Sequence, residues 1–160
     1  MVLDSESIKE VSAVLKARGE TIAVAESTTG GLISARLLSM PGASAYFMGG
    51  TIIYTRASRK ILLDASAEEL EGVKPMSEEM AQYFARRVRE QLGATWGIAE
   101  LGIAGPTGSA YGYEAGNSVI AVSGPIDAAV RIETGHNDRA RNMEEFTDRA
   151  CQLLQDVLSR

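Results

Sequence analysis

The chain holds one cysteine, one histidine and one tryptophan in 160 residues. With Cys151 alone, neither an internal disulfide nor a cysteine-ligated zinc site can form within one chain. His136 is the sole imidazole, so Ser-His-Asp catalysis would have to run through it. It stands in a polar loop where nothing in the sequence pairs it with a serine, and it reads as a surface residue. No His/Asp/Glu cluster has metal-ligand spacing, and nothing calls for a metal or an organic cofactor. No stretch approaches the ~20 apolar residues of a membrane span. The opening residues, Met1-Val2-Leu3-Asp4-Ser5, lack the basic start and apolar run of a signal peptide, so the expected location is the cytoplasm. Sixteen Lys and Arg are outnumbered by 21 Asp and Glu, a net charge of -5. That balance argues against nonspecific nucleic-acid binding, which needs cations to displace counterions. It leaves room for a local basic pocket around one phosphate.

What is present is ordinary globular composition, 45% hydrophobic and 23% charged. Its length suits one domain spanning 1–160, with no repeat, low-complexity tract or linker. Ser5 or Ser7 caps a first helix with Ile8, Val11 and Leu15 on one face, ended by Gly19. Residues 21–25 (TIAVA) form a short strand, followed by STTGG and a helical LISARLLSM closed by Pro41-Gly42. A second strand spans 46–54, with Gly49 and Gly50 signalling a bulge or close backbone approach. A helix starting near Ala57 carries Ile61, Leu62 and Leu63; another opens at Ser77 with Met80, Phe84 and Val88 inward. Strands follow at 94–104, 117–123 and 128–133. The last two are joined by Gly124-Pro125-Ile126-Asp127, too short for a parallel crossover, so they pair as a hairpin. A final helix from Asp138 places Met143, Phe146, Ala150, Leu153 and Val157 on one face, with Cys151 in its apolar pattern. Early strands separated by helices imply parallel pairing, and the late hairpin adds an antiparallel strand. The expected fold is a three-layer α/β/α sandwich around a mixed five-stranded sheet.

Three segments can carry chemistry, each at the carboxyl end of a strand, where open α/β sheets place ligands. The first is AESTTGG, residues 25–31. Ser27, Thr28 and Thr29 offer hydroxyls, Gly30 and Gly31 let backbone amides approach an anion, and Glu26 stands beside them. A tight turn with one capping hydroxyl is the plain alternative. The second is GIAGPTG, residues 102–108, which fits neither a Walker loop nor GxGxxG. Strands 1 and 3, if parallel, bring Gly105 and Thr107 to the same edge as Ser27. The third is YTRASRK, residues 54–60, where Arg56, Arg59 and Lys60 can hold a phosphate beside Tyr54. Cations at a helix start oppose its dipole, which favours a functional reason for them.

At these segments the chain resembles the family of the competence/damage-inducible protein C-terminal domain. AESTTGG is similar to the family's AES-x-TGG signature, and MPGASAYFMGGTIIYT to its PG-S-x-x-F-x-G-x-x-x-Y-S/T block. MSEEMA is similar to its VSxxVA helix start, and GIAGPTG to its GIAGPxG loop. The resemblance covers nearly the whole chain and implies the same three-layer mixed sheet. It further implies a nicotinamide-nucleotide amidase, with no cofactor, hydrolysing nicotinamide mononucleotide to nicotinate mononucleotide and ammonia. The family's nucleophile falls on Ser27 and its tyrosine on Tyr54. Amides near Thr28 to Gly31 would then face the oxyanion, and Thr29, Gly105 and Thr107 would shape the pocket or touch the nucleotide. Oligomers are common in the family, with Phe47, Met48 and Tyr83 as candidate interface residues.

Three departures stand out. The family's presumed basic lysine falls on Arg59, with Lys60 about 100° further round a helix. Arginine keeps its proton with a pKa above ~12 and is a poor general base, though it can bind phosphate or orient Ser27. Glu100-Leu101 replaces a small residue and threonine, so Glu100 stands either as a substitute base or as an ion partner of Arg59. The loop 109–116 lacks the family's Pro-rich, Lys-bearing stretch, and its Tyr111 and Tyr113 can stack on a base or cover the pocket. The alternative to an amidase is therefore a nucleotide-binding or regulatory relative that kept the pocket and lost the chemistry.

Overall fold

A computed structural model describes residues 5–160; Met1 to Asp4, from which the signal-peptide expectation was drawn, lie outside them. The elements are α1 (Glu6–Arg18), β1 (Ile22–Glu26), α2 (Leu32–Leu38), β2 (Phe47–Ile52), α3 (Arg56–Leu63), α4 (Glu78–Leu92), β3 (Trp96–Ile103), β4 (Asn117–Ser123), β5 (Ala128–Glu133) and α5 (Arg139–Leu158). Local chemistry sets the ends. Ser5, Thr55, Ser77 and Asp138 each accept a first-turn amide of the following helix through the side chain. Gly19 and Gly93 close α1 and α4 in the left-handed region.

The sheet order is β2-β1-β3-β4-β5. β1 is parallel to β2 and β3, while β3–β4 and β4–β5 are antiparallel. The hairpin between β4 and β5 forms as expected, and Asp127 accepts the Gly124 amide across its turn at 3.1 Å. Ile22 pairs with Phe47 and Ala23 with Gly49, so Met48 is the extra residue of a bulge where the glycines signalled one.

Side-chain alternation sorts the core into two layers. Ile22, Val24, Trp96, Ile98, Ile120 and Val122 pack under α1, α2 and α5. Ala23, Ala25, Ala99, Leu101, Val119 and Ala121 pack under α3 and α4. The small residues on the second face let α4 lie close. A Cβ at Gly97 would stand 2.0 Å from the Ala85 carbonyl oxygen. Cys151 is a free, buried thiol in the first layer. The result is the expected three-layer mixed α/β sandwich.

The strand ends differ from the expectation. Strands 1 to 3 are displaced or trimmed by one to two residues at their ends. In α3 only Leu63 is buried, while Ile61 is 78% and Leu62 47% exposed. The short helix turns Arg59 rather than these leucine-type residues toward α4, its guanidinium 5.2 Å from the Phe84 ring centroid. Phe47 is half-buried, Met48 exposed, and the Tyr83 hydroxyl donates to Glu69 at 2.6 Å. Among the described residues no helix is long and apolar enough to cross a membrane.

Candidate functional site

The turn between β1 and α2 has a buried back and an open front. Its back is organised by Glu26, which is wholly buried. One carboxylate oxygen accepts the Thr29 hydroxyl at 2.8 Å and the Gly31 and Ile33 amides at 2.9 and 3.1 Å. The other accepts the Ser34 amide at 2.8 Å and hydroxyl at 2.6 Å. The N-terminus of α2 is therefore filled by an internal acid that satisfies its orphan amides. This corrects the expectation that Glu26 binds substrate. Thr29, also wholly buried, and Gly31 belong to the same cap rather than to a ligand site, and Gly30 stands exposed beside Met143.

Glu100, on β3, is the parallel-register neighbour of Glu26 and is likewise wholly buried. Its Oε2 accepts the Ser27 amide at 3.2 Å, the Thr29 amide at 3.0 Å and the Thr29 hydroxyl at 3.0 Å. Burial pushes the carboxyl above its ordinary range; the Thr29 donors oppose this, the Glu26 charge adds to it, and the Ser27 amide opposes it. Glu100 makes no ion pair with Arg59, contrary to one expectation, and its carboxyl faces the back of the turn, which removes it as a direct base for Ser27. The amides of Ser27, Thr29 and Gly31 are taken by the two acids, so they cannot form the oxyanion site once expected there.

The front opens on a cavity of about 380 Å³. Ser27 and Thr28 from the first turn, Tyr54 and Arg59 from the β2–α3 junction, and Gly105 and Thr107 from the GIAGPTG loop all line it. The Thr28 hydroxyl is buried and has no partner. Arg59 donates from Nε to the Ile53 carbonyl at 3.2 Å. Burial lowers its pKa, the Tyr111 phenol raising it and Arg56 lowering it further, and among the described residues no carboxylate pairs with it. Met76 closes one wall in the left-handed region, φ 56°, an unusual backbone state for a side chain of its size.

Arg139 is the residue sequence reading missed. It starts α5 and reaches back to the cavity, donating to the Gly105 carbonyl at 2.6 Å and to the Tyr54 hydroxyl at 3.3 Å. The only local signal was a cation just after a helix-capping Asp138, too common a pattern to single out. Tyr111 lines the cavity, whereas Tyr113 packs under Arg131, 4.5 Å from its guanidinium carbon. Arg56 and Lys60 do not reach the Ser27 cavity. They share with Arg59 a neighbouring groove of about 430 Å³ floored by Ala65, Ala67, Leu70 and Met80. A wider recess of about 650 Å³ beside the GIAGPTG loop contains neither Ser27 nor a guanidinium. His136 faces Glu145 at 3.2 Å.

A mixed open sheet with hydroxyl, phenol and guanidinium groups gathered around a cavity at the carboxyl ends of β1, β2 and β3 defines an α/β protein with an open cleft at the sheet's rim. The chain belongs to the CinA C-terminal domain family, which its sequence matches over residues 4–158. It is 44% identical over 123 residues, 76% of this chain, to a CinA-like protein of Acaryochloris marina. To a CinA-like protein of Synechocystis it is 39% identical over 159 residues, 98% of this chain. It spans only 29% and 38% of the length of those two relatives. The fold superimposes on the crystal structure of the competence damage-inducible protein A of Klebsiella pneumoniae with a TM-score of 0.89, at 27% identity, covering 97% of this chain and 96% of that one. The competence/damage inducible protein CihA of Agrobacterium tumefaciens matches with a TM-score of 0.84 at 26% identity over the full length of both chains.

Proposed function

We propose that the front cavity binds a pyridine mononucleotide and that Ser27 hydrolyses its carboxamide, giving the carboxylate and ammonia. The observation that carries this reading is the convergence of Ser27, Tyr54, Arg59 and Arg139 on one cavity of about 380 Å³, within the range of small-ligand sites. Two guanidiniums without carboxylate partners provide for a phosphate, which arginine grips by charge-assisted hydrogen bonds. The Ser27 oxygen bonds to the carboxamide carbon, the C–N bond breaks, and the serine proton balance is completed on the departing ammonia. Tyr54 is the relay: it gives its hydroxyl proton to the nitrogen and takes the one leaving Ser27. Its oxygen already accepts from Arg139, so its own proton is free to move. Water then adds to the acyl carbon and restores Ser27. With the Ser27, Thr29 and Gly31 amides committed, the Thr28 N–H is a donor left for the oxyanion, and the unpartnered Thr28 hydroxyl stands next to it.

One observation favours a second reading, a nucleotide-binding relative without turnover. Among the described residues the cavity is lined by no histidine, lysine, aspartate or glutamate, so no strong base stands beside Ser27. Incubation with nicotinamide mononucleotide and measurement of ammonia separates the two. Turnover by wild type that disappears in Ser27→Ala supports the amidase. Turnover surviving Ser27→Ala ends the nucleophile assignment. Silence in wild type with activity in Arg59→Lys supports the binding relative.

A further inference from the structure

We infer that Glu100 is a neutral carboxylic acid that positions the nucleophile turn from behind, sharing with Glu26 a single negative charge. The kinetic part of this inference rests on the amidase reading above; the rest does not.

The starting point is the sheet register. Glu26 and Glu100 are direct partners on adjacent parallel strands and face the same layer, with no exposure to water. Two like charges at paired positions repel, and burial removes the solvent that would screen them. No cation compensates. On the α2 and α5 side of that layer the charged and titratable groups are Arg36, Asp148 and Cys151. Arg36 is bonded to Asp148 and lies against Cys151. β4 contributes only the Ser118 hydroxyl. Among the described residues neither glutamate has an ion-pair partner.

Hydrogen-bond bookkeeping then decides which acid holds the proton. Glu26 is surrounded by five donors on its two oxygens, the coordination of a carboxylate. The Thr29 hydroxyl lies 2.8 Å from Glu26 and 3.0 Å from Glu100 but has one proton to give. Glu100 Oε2 receives the Ser27 and Thr29 amides, so its Oε1 is the free edge. The contact of that edge is the Ser118 oxygen at 3.4 Å, and the Ser118 hydroxyl itself lies 3.1 Å from the Leu101 carbonyl. A proton on Oε1 completes an ordered chain: Glu100 donates to Ser118, and Ser118 donates to Leu101. Gly102 leaves the space, since a Cβ there would fall 2.5 Å from Glu100 Oε1 and 2.8 Å from the Thr28 oxygen. The upward displacement of the Glu100 pKa by burial agrees with this assignment.

The consequence is mechanical. Both amides that Glu100 holds belong to the turn that presents Ser27 and Thr28 to the cavity. Glutamine reproduces the neutral acid, with its carbonyl accepting the two amides and its NH2 donating to Ser118. Leucine releases the Thr29 amide, while the Ser27 amide keeps the backbone carbonyl of Glu100's position at 3.1 Å.

Three readouts test it. The first is thermal unfolding of wild type and Glu100→Gln between pH 5 and pH 9. The folded pKa of Glu100 lies above its unfolded value of about 4.3, so the stability tied to its proton is lost as pH rises toward the folded value. Glutamine has no such loss. The midpoint of the variant relative to wild type should therefore climb with pH; parallel curves would overturn the neutral-acid assignment. The second is amide exchange at Thr29, the amide held by the Glu100 side chain alone. It should be unchanged in Glu100→Gln and ~10-fold or more faster in Glu100→Leu, with Ile22 to Val24 unaffected. Equal protection in all three proteins removes the positioning role, and so does equal loss across β1. The third, given turnover, is a kcat lower by ~10–100-fold in Glu100→Leu at similar KM, rescued by glutamine. Absence of ammonia from wild type would sink the amidase reading alone, since the first two readouts need no turnover.

Discussion

The two sides of the Ser27 turn treat charge in opposite ways. Behind it, two acids are wholly buried and every donor near them is matched to an oxygen. In front, two guanidiniums and the Thr28 hydroxyl face a cavity with no carboxylate to answer them. A buried acid saturated with amides is structural: it neutralises a helix terminus and fixes a loop. The two front cations are held by neutral groups, the Ile53 and Gly105 carbonyls among them, which leaves their charge uncompensated among the described residues. The segment AESTTGG contributes to both sides, Glu26 and Thr29 behind and Ser27 and Thr28 in front.

The sharpest break of the comparison is at the front. Ser27→Ala should lower ammonia release by ~10³-fold or more while leaving the fold intact, read by steady-state assay and circular dichroism. An equally deep loss of fold would make Ser27 part of the back. The converse experiment removes the back. Glu26→Ala takes the acceptor from four donors of α2 and its turn, the Thr29 hydroxyl keeping Glu100, and should cost about 3–5 kcal/mol, a fall of roughly 10 °C in Tm. A fall under ~2 °C would show that the cap is dispensable. Arg139→Ala should weaken binding of an anionic nucleotide by ~10–100-fold, the worth of a charge-assisted bond, with little change in Tm. A stability loss without a binding loss would reassign Arg139 to structure. Smallest of all is the effect at Cys151, in the same layer as Glu26. Burial pushes its thiol up to about 11, so alkylation at pH 8 should leave the native protein nearly unlabelled and unchanged. Fast labelling would mean that this layer is not sealed.

Periodicity carried most of the fold. The short apolar runs at 117–123 and 128–133 and the short link between them specify a hairpin, and the spacing of Met80, Phe84 and Val88 specifies a helix face. α3 forms where the sequence placed it, and of its three consecutive apolar residues, which cannot all face one way on a helix, only Leu63 is buried. The candidate site was legible at the strand ends to the extent that Ser27, Tyr54, Arg59, Gly105 and Thr107 share a cavity. Glu26 was misplaced because an acid among hydroxyls looks the same in sequence whether it faces a ligand or the first turn of the next helix. Arg139 was invisible because it meets Tyr54 85 positions away, a contact that exists only after α5 docks.

The unanswered charge at the front is best tested by calorimetry with the Ser27→Ala protein, comparing nicotinamide mononucleotide with nicotinamide riboside, which lacks the phosphate. Binding of the nucleotide at least ~10-fold tighter, with the margin shrinking as salt rises, is the expected result. Equal affinity for the two, or no binding of either, would contradict a cavity built around a phosphate.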